Sequence, residues 1–486
     1  MKIKDLLQTE DYNSVIAELK SGRTNSEPKT EQYKAQLDPE GHDVNDRVKR
    51  PDKKVKVDRP ESLENSLQVT NSEPAEEFKP EPVARIALAL QKLIVKRAVA
   101  FAFGNPVLLN AEPEEGTKEE DVLKSVNRVL FDTKTRTINR KVARNIFSCT
   151  EAAERWYPVV KEHDNYGFPS KFKLRVAVFS PLLGDKLYPY FDETGDMVAF
   201  SREFERKDKG GKSFTYFETF TDKQHIMWVT GSKGWEVADG YPRENTIGKI
   251  PIIYGQQPQV EWEDVQGIID RLEKLLSNFA DTNDYHAAPK IFITGEILGF
   301  GKKGESGAVI EGEEGATAQY LAWQNAPESV KLEIETLLNL IYTISQTPDI
   351  SFDAVKGIGA ISGVALKLLF MDAHLKVQDK MEIFDDYLQR RLVIIQSYLA
   401  EMNAKDKAYK EACRSLTIEP EIVPFMIDDE KAKVDLLLAA NGQKPIASQK
   451  TTVQQLGWTQ DVDAEYEQIK EEDTFNAYND IMNPAI

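Results

Sequence analysis

Residues 261–284, EWEDVQGIIDRLEKLLSNFADTND, place Val265, Ile268, Ile269, Leu272, Leu275, Leu276 and Phe279 on one helical stripe with Asp and Glu on the opposite face. The spacing predicts an amphipathic helix on the order of 35 Å long. A β-rich excursion follows: KIFITGEILGF at 290–300, a Gly-Lys-Lys-Gly turn at 301–304, and AVIEGEEGATAQYLAW at 308–323. Helical spacing then returns from Pro327 to Gln346, with Val330, Ile334, Leu337, Leu338, Ile341 and Ile344 on its stripe. The two helices bracket a small module like the legs of a hairpin. Behind them stands TPDISFDAVKGIGAISG at 347–363, a glycine-bearing loop poor in helix formers. It leads into the longest helical pattern of the chain, Val364 to about Met402, roughly 55–60 Å if unbroken.

Upstream, the period is different. From Lys171 to Tyr254 it is two, in KLRVAVFS, KLYPYFD, MVAFSREFER, SFTYFETFT, HIMWVT and GWEVADG, separated by turn formers such as Gly195 and Gly210–Gly211. This predicts an antiparallel sheet or small β-sandwich. Before it, VARIALALQKLIVKRAVAFAFG at 83–104 predicts a helix stopped at Gly104, Asn105 and Pro106, with further helices from Glu119 to Leu130 and from Asn139 to Trp156. The fold class expected is α+β. Residues 1–18 predict one short helix, but 21–80 are dominated by polar and charged residues and by proline, so the arm 1–80 is expected to be largely disordered. Within it, residues 45–60 hold seven basic residues against three acidic ones, which fits a solvated linker better than an arm for nucleic acid or a partner. Residues 428–472 predict two or three short helices with a turn at Asn441–Gly442.

The 486 residues carry a formal net charge of -18 and a mean hydropathy of -0.47. That acidity argues against a protein that grips DNA tightly, while leaving room for weak contact. No apolar run approaches the roughly 18–20 residues that span a bilayer, and the N-terminus lacks the core of a signal peptide, so no membrane partner is expected. Two cysteines, Cys149 and Cys413, fit a reducing compartment and exclude a disulfide scaffold.

Signals for chemistry fail their own tests. KDKGGKS at 207–213 ends like a phosphate loop, but the position five before its second glycine is Arg206, and it lies between strands. Gly357 and Gly359 are followed by Gly363 where a dinucleotide fingerprint needs glycine at 362, and no strand precedes them. His42, His163, His225, His286 and His374 are scattered and read as surface or interface residues, and acidic pairs such as Asp385–Asp386 and Glu313–Glu314 read as solvated faces. The expectation is no catalytic residue, no metal and no cofactor. A nucleotide-dependent enzyme is one competing reading, and a structural protein of another kind, such as a scaffold, is the other.

The order of helix, β excursion, helix, glycine loop and very long helix resembles the stem, clip, stem, tunnel loop and wing helix of tailed-bacteriophage portal proteins. SGVALKLLFMDAHLKV at 362–377 is similar to that family's most recognisable segment. AFAFGNPVLL at 100–109, NTIGKIPIIYGQQ at 245–257, the stem entry at 261–295 and NGQKPIASQKTTVQQLGW from Asn441 are similar to other family patterns, whereas 1–80 match none. The resemblance implies a wing over 81–258, stem helices at 259–287 and 326–347, and a clip over 288–325. It further implies a tunnel loop over 348–363, a long wing helix over 364–404, a connection over 405–427, a crown over 428–472 and a tail over 473–486.

It also implies function. The chain would form a homo-oligomeric ring of about twelve copies at one capsid vertex of the virion, assembled in the host cytoplasm. Double-stranded DNA would pass through it weakly and without sequence preference, and terminase, head-completion or adaptor proteins, and the major capsid and scaffold proteins would be its partners. In residues 261–284, Glu261, Glu263, Asp264, Asp270, Glu273, Asp281 and Asp284 outnumber Arg271 and Lys274, a charge suited to a channel wall that repels phosphate. The DNA-tunnel loop would present Asp349, Asp353, Lys356, Gly357, Ile358, Gly359, Ala360, Ser362 and Gly363, with Lys356 as its only cation. Lys302 and Lys303 in the clip would contact terminase or an adaptor.

Overall fold

The structure of the chain is a computed structural model. It describes residues 6–7, 9–24, 26–56, 78–208, 210–231, 234–287, 290–295, 297–299, 311–312, 315, 317–321, 326–350, 368, 370–425, 430–442, 445–459 and 462–482. Two compact units result: Met1–Pro348 with Asp372–Pro424, and Asp349–Met371 with Phe425–Ile486.

The first unit begins with helices α1 (Tyr12–Ser21) and α2 (Thr30–Leu37), then strands β1 (Lys53–Lys56) and β2 (Phe78–Glu81), which pair antiparallel. The Asp11 carboxylate accepts from the Ser14 amide and caps α1. Its Val15, Ile16 and Leu19 are buried against Tyr188, Phe217, Ile226 and Trp228. The arm therefore departs from the disorder expected of it over its described residues 12–56. Three apolar side chains on one turn-spaced face are enough to dock α1 once a preformed sheet receives them, and composition averaged over the arm does not register that. Residues 57–77 lie outside the described residues.

Next come α3 (Leu90–Phe103), β3 (Leu108–Asn110), α4 (Lys118–Asp132) and α5 (Thr135–Cys149). The helix predicted from Asn139 to Trp156 ends early. Thr150 takes a left-handed φ of 64°, and the chain enters β4 (Glu151–His163). There Ala152, Glu154 and Trp156 are buried on one face and Glu151 and Ala153 on the other, so packing on both sides of a sheet outweighs the helical reading.

Strand β5 (Ser170–Phe179) pairs with β4. It is followed by β6 (Lys186–Phe191), β7 (Met197–Lys207), β8 (Ser213–Phe220), β9 (Gln224–Gly231), β10 (Gly234–Val237), β11 (Arg243–Glu244) and β12 (Ile252–Gln256). They form two antiparallel sheets, ordered β12-β4-β5 and β10-β9-β8-β7-β6, with β11 added to β9. Phe179, Phe200, Phe220 and Ile252 form one core cluster with side chains from both sheets. Of the aromatics in 187–236, Tyr188, Phe200, Phe204, Phe217, Phe220 and Trp228 are buried. KDKGGKS is the β7–β8 hairpin, where Gly211 has a φ of 82°.

The hairpin of helices follows as α6 (Gln266–Ala287) and α7 (Ala326–Ile344), with β13 (Lys290–Thr294), β14 (Ile297–Gly299), β15 (Glu311–Gly312) and β16 (Thr317–Leu321) between them. β13 pairs antiparallel with β16, and β14 with β15. The long helix is α8 (Met371–Met402), followed by α9 (Lys407–Ser415) and β17 (Glu419–Glu421), which pairs with β3. Phe384 of α8 makes edge contacts with Phe103 of α3 and Phe147 of α5, at 4.9 and 5.9 Å between centroids.

Among its described residues the second unit holds two short helices, α10 (Glu430–Ala440) and α11 (Gln449–Leu456), and a longer one, α12 (Val462–Met482). Ser448 caps α11 through the Thr451 amide, and Gly457, at a φ of 75°, ends it. Lys433 donates to the Leu456 carbonyl and ties α10 to that end.

Candidate functional site

The helical hairpin and the two roots of the loop behind it are where the sequence points, and there the acidic residues prove to be divided in use. On α6, Glu273, Ser277 and Asp281 stand at i, i+4 and i+8 on one line. Against them runs the extended segment 84–88. The amides of Ala84, Ile86 and Leu88 donate to Asp281 Oδ1, Ser277 Oγ and Glu273 Oε1 at 2.8, 2.9 and 2.8 Å. Two residues of extended chain advance about 6.6 Å and four of helix about 6.0 Å, so the two repeats keep step over three contacts.

The N-terminal arm closes over the same line. His42 Nδ1 lies 2.7 Å from Glu273, and its Nε2 lies 2.8 Å from the Gln36 carbonyl. Burial alone would push the His42 imidazole down, but its bonds to Glu273 and Gln36 outweigh that and hold it above its ordinary value. Arg50 donates to Asn278 and Asp281, both at 2.8 Å, and Trp262 Nε1 donates to the Gln36 side chain at 3.0 Å. His42 and His225 are buried, not surface residues; His225 stacks on Phe220 and meets Glu218 at 3.0 Å.

A third acid of α6's approach, Glu261, sits at the root of the loop. It faces two ammonium groups of α8, Lys376 at 2.7 Å and Lys380 at 3.0 Å. Burial raises a carboxylate's pKa, yet the two cations override it and hold Glu261 below its usual range. Lys376 also donates to the Ser345 carbonyl at 2.9 Å, just past α7. Gln346 turns with a left-handed φ of 49°, Thr347 is buried, and Arg97 of α3 donates to the Pro348 carbonyl at 2.6 Å. The chain entering the loop and the helix leaving it are thus fastened to one buried charge cluster.

Of the seven acids counted over 261–284, Glu261, Glu273 and Asp281 are consumed by intramolecular partners, while Asp264, Asp270 and Asp284 are exposed and Glu263 is half-buried. The surplus of free negative charge on this helix is smaller than composition suggests. Arg271 spends its charge on Glu333 of α7 at 2.7 Å. Asp349 is described; Asp353, Lys356, Gly357, Ile358, Gly359, Ala360, Ser362 and Gly363 lie outside the described residues, as do Lys302 and Lys303. The strap at Glu273, Ser277 and Asp281 was missed because its partners are main-chain amides. Its only trace in sequence is two acids and a serine bordering an apolar stripe.

Among the described residues no group of three or more His, Cys, Asp or Glu is arranged to hold a metal ion, and no helix is long and apolar enough to cross a membrane. These buried charges fasten elements of the fold together, and the class of the protein comes from comparison with a known family, that of a structural component of phage particles. The chain matches, over residues 44–476, the family described as phage portal protein, SPP1 Gp6-like, and belongs to it. No curated protein matches. A chain from the neck of an empty gene transfer agent particle computed with C6 symmetry is similar at 11% identity, over 75% of this chain and 89% of that one, with a TM-score of 0.41. A chain from the virion of a native gene transfer agent particle is similar at 12% identity, over 76% and 88%, with a TM-score of 0.34.

Proposed function

We propose that this portal protein closes into a ring of about twelve copies at one capsid vertex and serves as the conduit through which double-stranded DNA is packaged and ejected. What carries the reading, beyond family membership, is the cluster at the loop roots. Glu261, Lys376, Lys380 and the Ser345 carbonyl hold both ends of the segment that would line the bore, so a loop that shifts as DNA passes would keep its attachments fixed. The exposed Asp264, Asp270 and Asp284 would repel phosphate and keep a moving duplex from being held.

Lys356 would make weak, sequence-independent phosphate contacts, with Asp349 and Asp353 near it and Gly357 and Gly359 permitting the loop to shift. Lys302 and Lys303 would meet terminase below the capsid, then head-completion or adaptor proteins, while the major capsid and scaffold proteins surround the ring. Electron microscopy of the purified protein tests the ring: closed particles with a central hole are expected, and a monomer under all conditions would overturn it. Lys356→Glu should change packaging or DNA retention with assembly intact; loss of the ring in that variant would contradict a role in DNA contact.

A further inference from the structure

In a chain of net charge -18, helix α5 exposes four basic side chains and no acidic one. Between Asp132 and Glu151 stand Lys134, Arg136, Arg140, Lys141 and Arg144 and no carboxylate. All five are exposed on or beside α5. Arg140 donates to the Phe103 and Gly104 carbonyls at the end of α3; the others meet no carboxylate of their own chain among the described residues. At about 100° per residue, Lys141 and Arg144 lie about 140–160° round α5 from the buried Ile146. The helix turns this stripe outward.

Beside it is an open groove of about 650 Å³, lined by Arg136 and by apolar side chains including Leu130, Phe131, Leu392 and Pro420. Phe131 at its rim is 87% exposed. A surface of this kind fits an acidic partner that also carries an apolar anchor.

The same unit offers one. On α8, Asp372, Asp379, Glu382 and Asp386 recur at spacings of seven, three and four, one face of a helix, and all are exposed. Leu375 lies on that face, 48% exposed. Asp379, Glu382 and Asp386 stand about 140–160° from Phe384, the residue that packs α8 on α5. The two cations of this stretch, Lys376 and Lys380, are held by Glu261 at 2.7 and 3.0 Å, and Lys380 also stands 3.6 Å from Asp379, whose side chain stays exposed.

A closed ring of identical chains needs two different surfaces on each chain that fit one another. We propose that the basic face of α5 with its apolar groove receives the acidic face of α8 from the next copy, with Leu375 as anchor, and that this contact is a seam of the ring. The inference rests on the ring reading above. Because these pairs form between exposed side chains, the seam weakens as salt shortens the reach of charge to about 8 Å at physiological ionic strength and less above it.

The test is charge exchange read by mass photometry, with circular dichroism and a thermal melt to establish that each variant is folded. Arg136→Glu with Lys141→Glu and Arg144→Glu should lose the ring species, and so should Asp379→Lys with Glu382→Lys and Asp386→Lys. One chain carrying all six changes should regain it, since both faces are then reversed together. Arg136→Lys with Arg144→Lys should keep the ring throughout. Rings from the α5 variant at the concentration that suffices for the unaltered protein would overturn the seam while leaving the ring reading standing, as would failure of the six-change chain to reassemble. An α5 variant that keeps its ring and loses DNA retention would assign the stripe to phosphate instead. No ring from the unaltered protein would sink the ring reading itself, before any variant is made.

Discussion

Exchange of Glu261 for glutamine should cost the first unit about 3–5 kcal/mol, because it strips two buried ammonium groups of their counter-charge. The side chains concerned are 3% exposed for Glu261, 10% for Lys376 and 16% for Lys380, so water does little to replace the lost carboxylate. At a guanidinium m-value on the order of 5 kcal/mol/M for a unit of this size, the unfolding midpoint should fall by about 0.6–1 M. Tryptophan fluorescence reads it, since Trp262 beside the site is fully buried. The pH dependence has a definite sign. The folded pKa of Glu261 is depressed, so its contribution is fully present above the ordinary glutamate value and is lost as pH falls through the folded one. The gap between wild type and Glu261→Gln should therefore be constant near neutrality and close below about pH 4.3. Hydrogen exchange should rise first at residues 345–347 and 372–380, the two roots of the loop. A midpoint shift below about 0.2 M, which is about 1 kcal/mol, would refute the view that one carboxylate holds both ends.

Three other outcomes are expected. His42 has a raised folded pKa, so the stability it lends is complete below about pH 6.5 and fades as pH rises through the raised value; the protection factor of the Leu88 amide, with the intrinsic rise of exchange with pH divided out, should fall at alkaline pH, and His42→Gln should remove that dependence. Leu19→Ala should cost about 2–5 kcal/mol in chemical unfolding and expose the arm to protease, whereas an unchanged midpoint would mean that α1 does not hold the sheet. At Gly255 an added methyl would lie 2.9 Å from the Tyr387 ring and 3.0 Å from Ile146, so Gly255→Ala should destabilise by about 1–3 kcal/mol; a neutral result would show that α5 and α8 yield there.

The sequence by itself determined the hairpin of α6 and α7, the long helix after the loop, the two-sheet region and the α+β class. Each is written in a local period of side chains, 3.6 for the amphipathic helices and two for strands half in the core, and periods survive without knowledge of what lies opposite. Order in the arm, the β4 strand and the division of α6's acids belonged to tertiary structure. His42 meets Glu273 across 231 positions of sequence and Lys376 meets Glu261 across 115, and the strap of residues 84–88 binds through amides that every residue but proline carries. A carboxylate on a helix looks the same whether it faces water, an ammonium group or a row of N–H donors. Only the fold supplies the second partner, and that partner decides whether the charge is spent inside the subunit or left free on its surface.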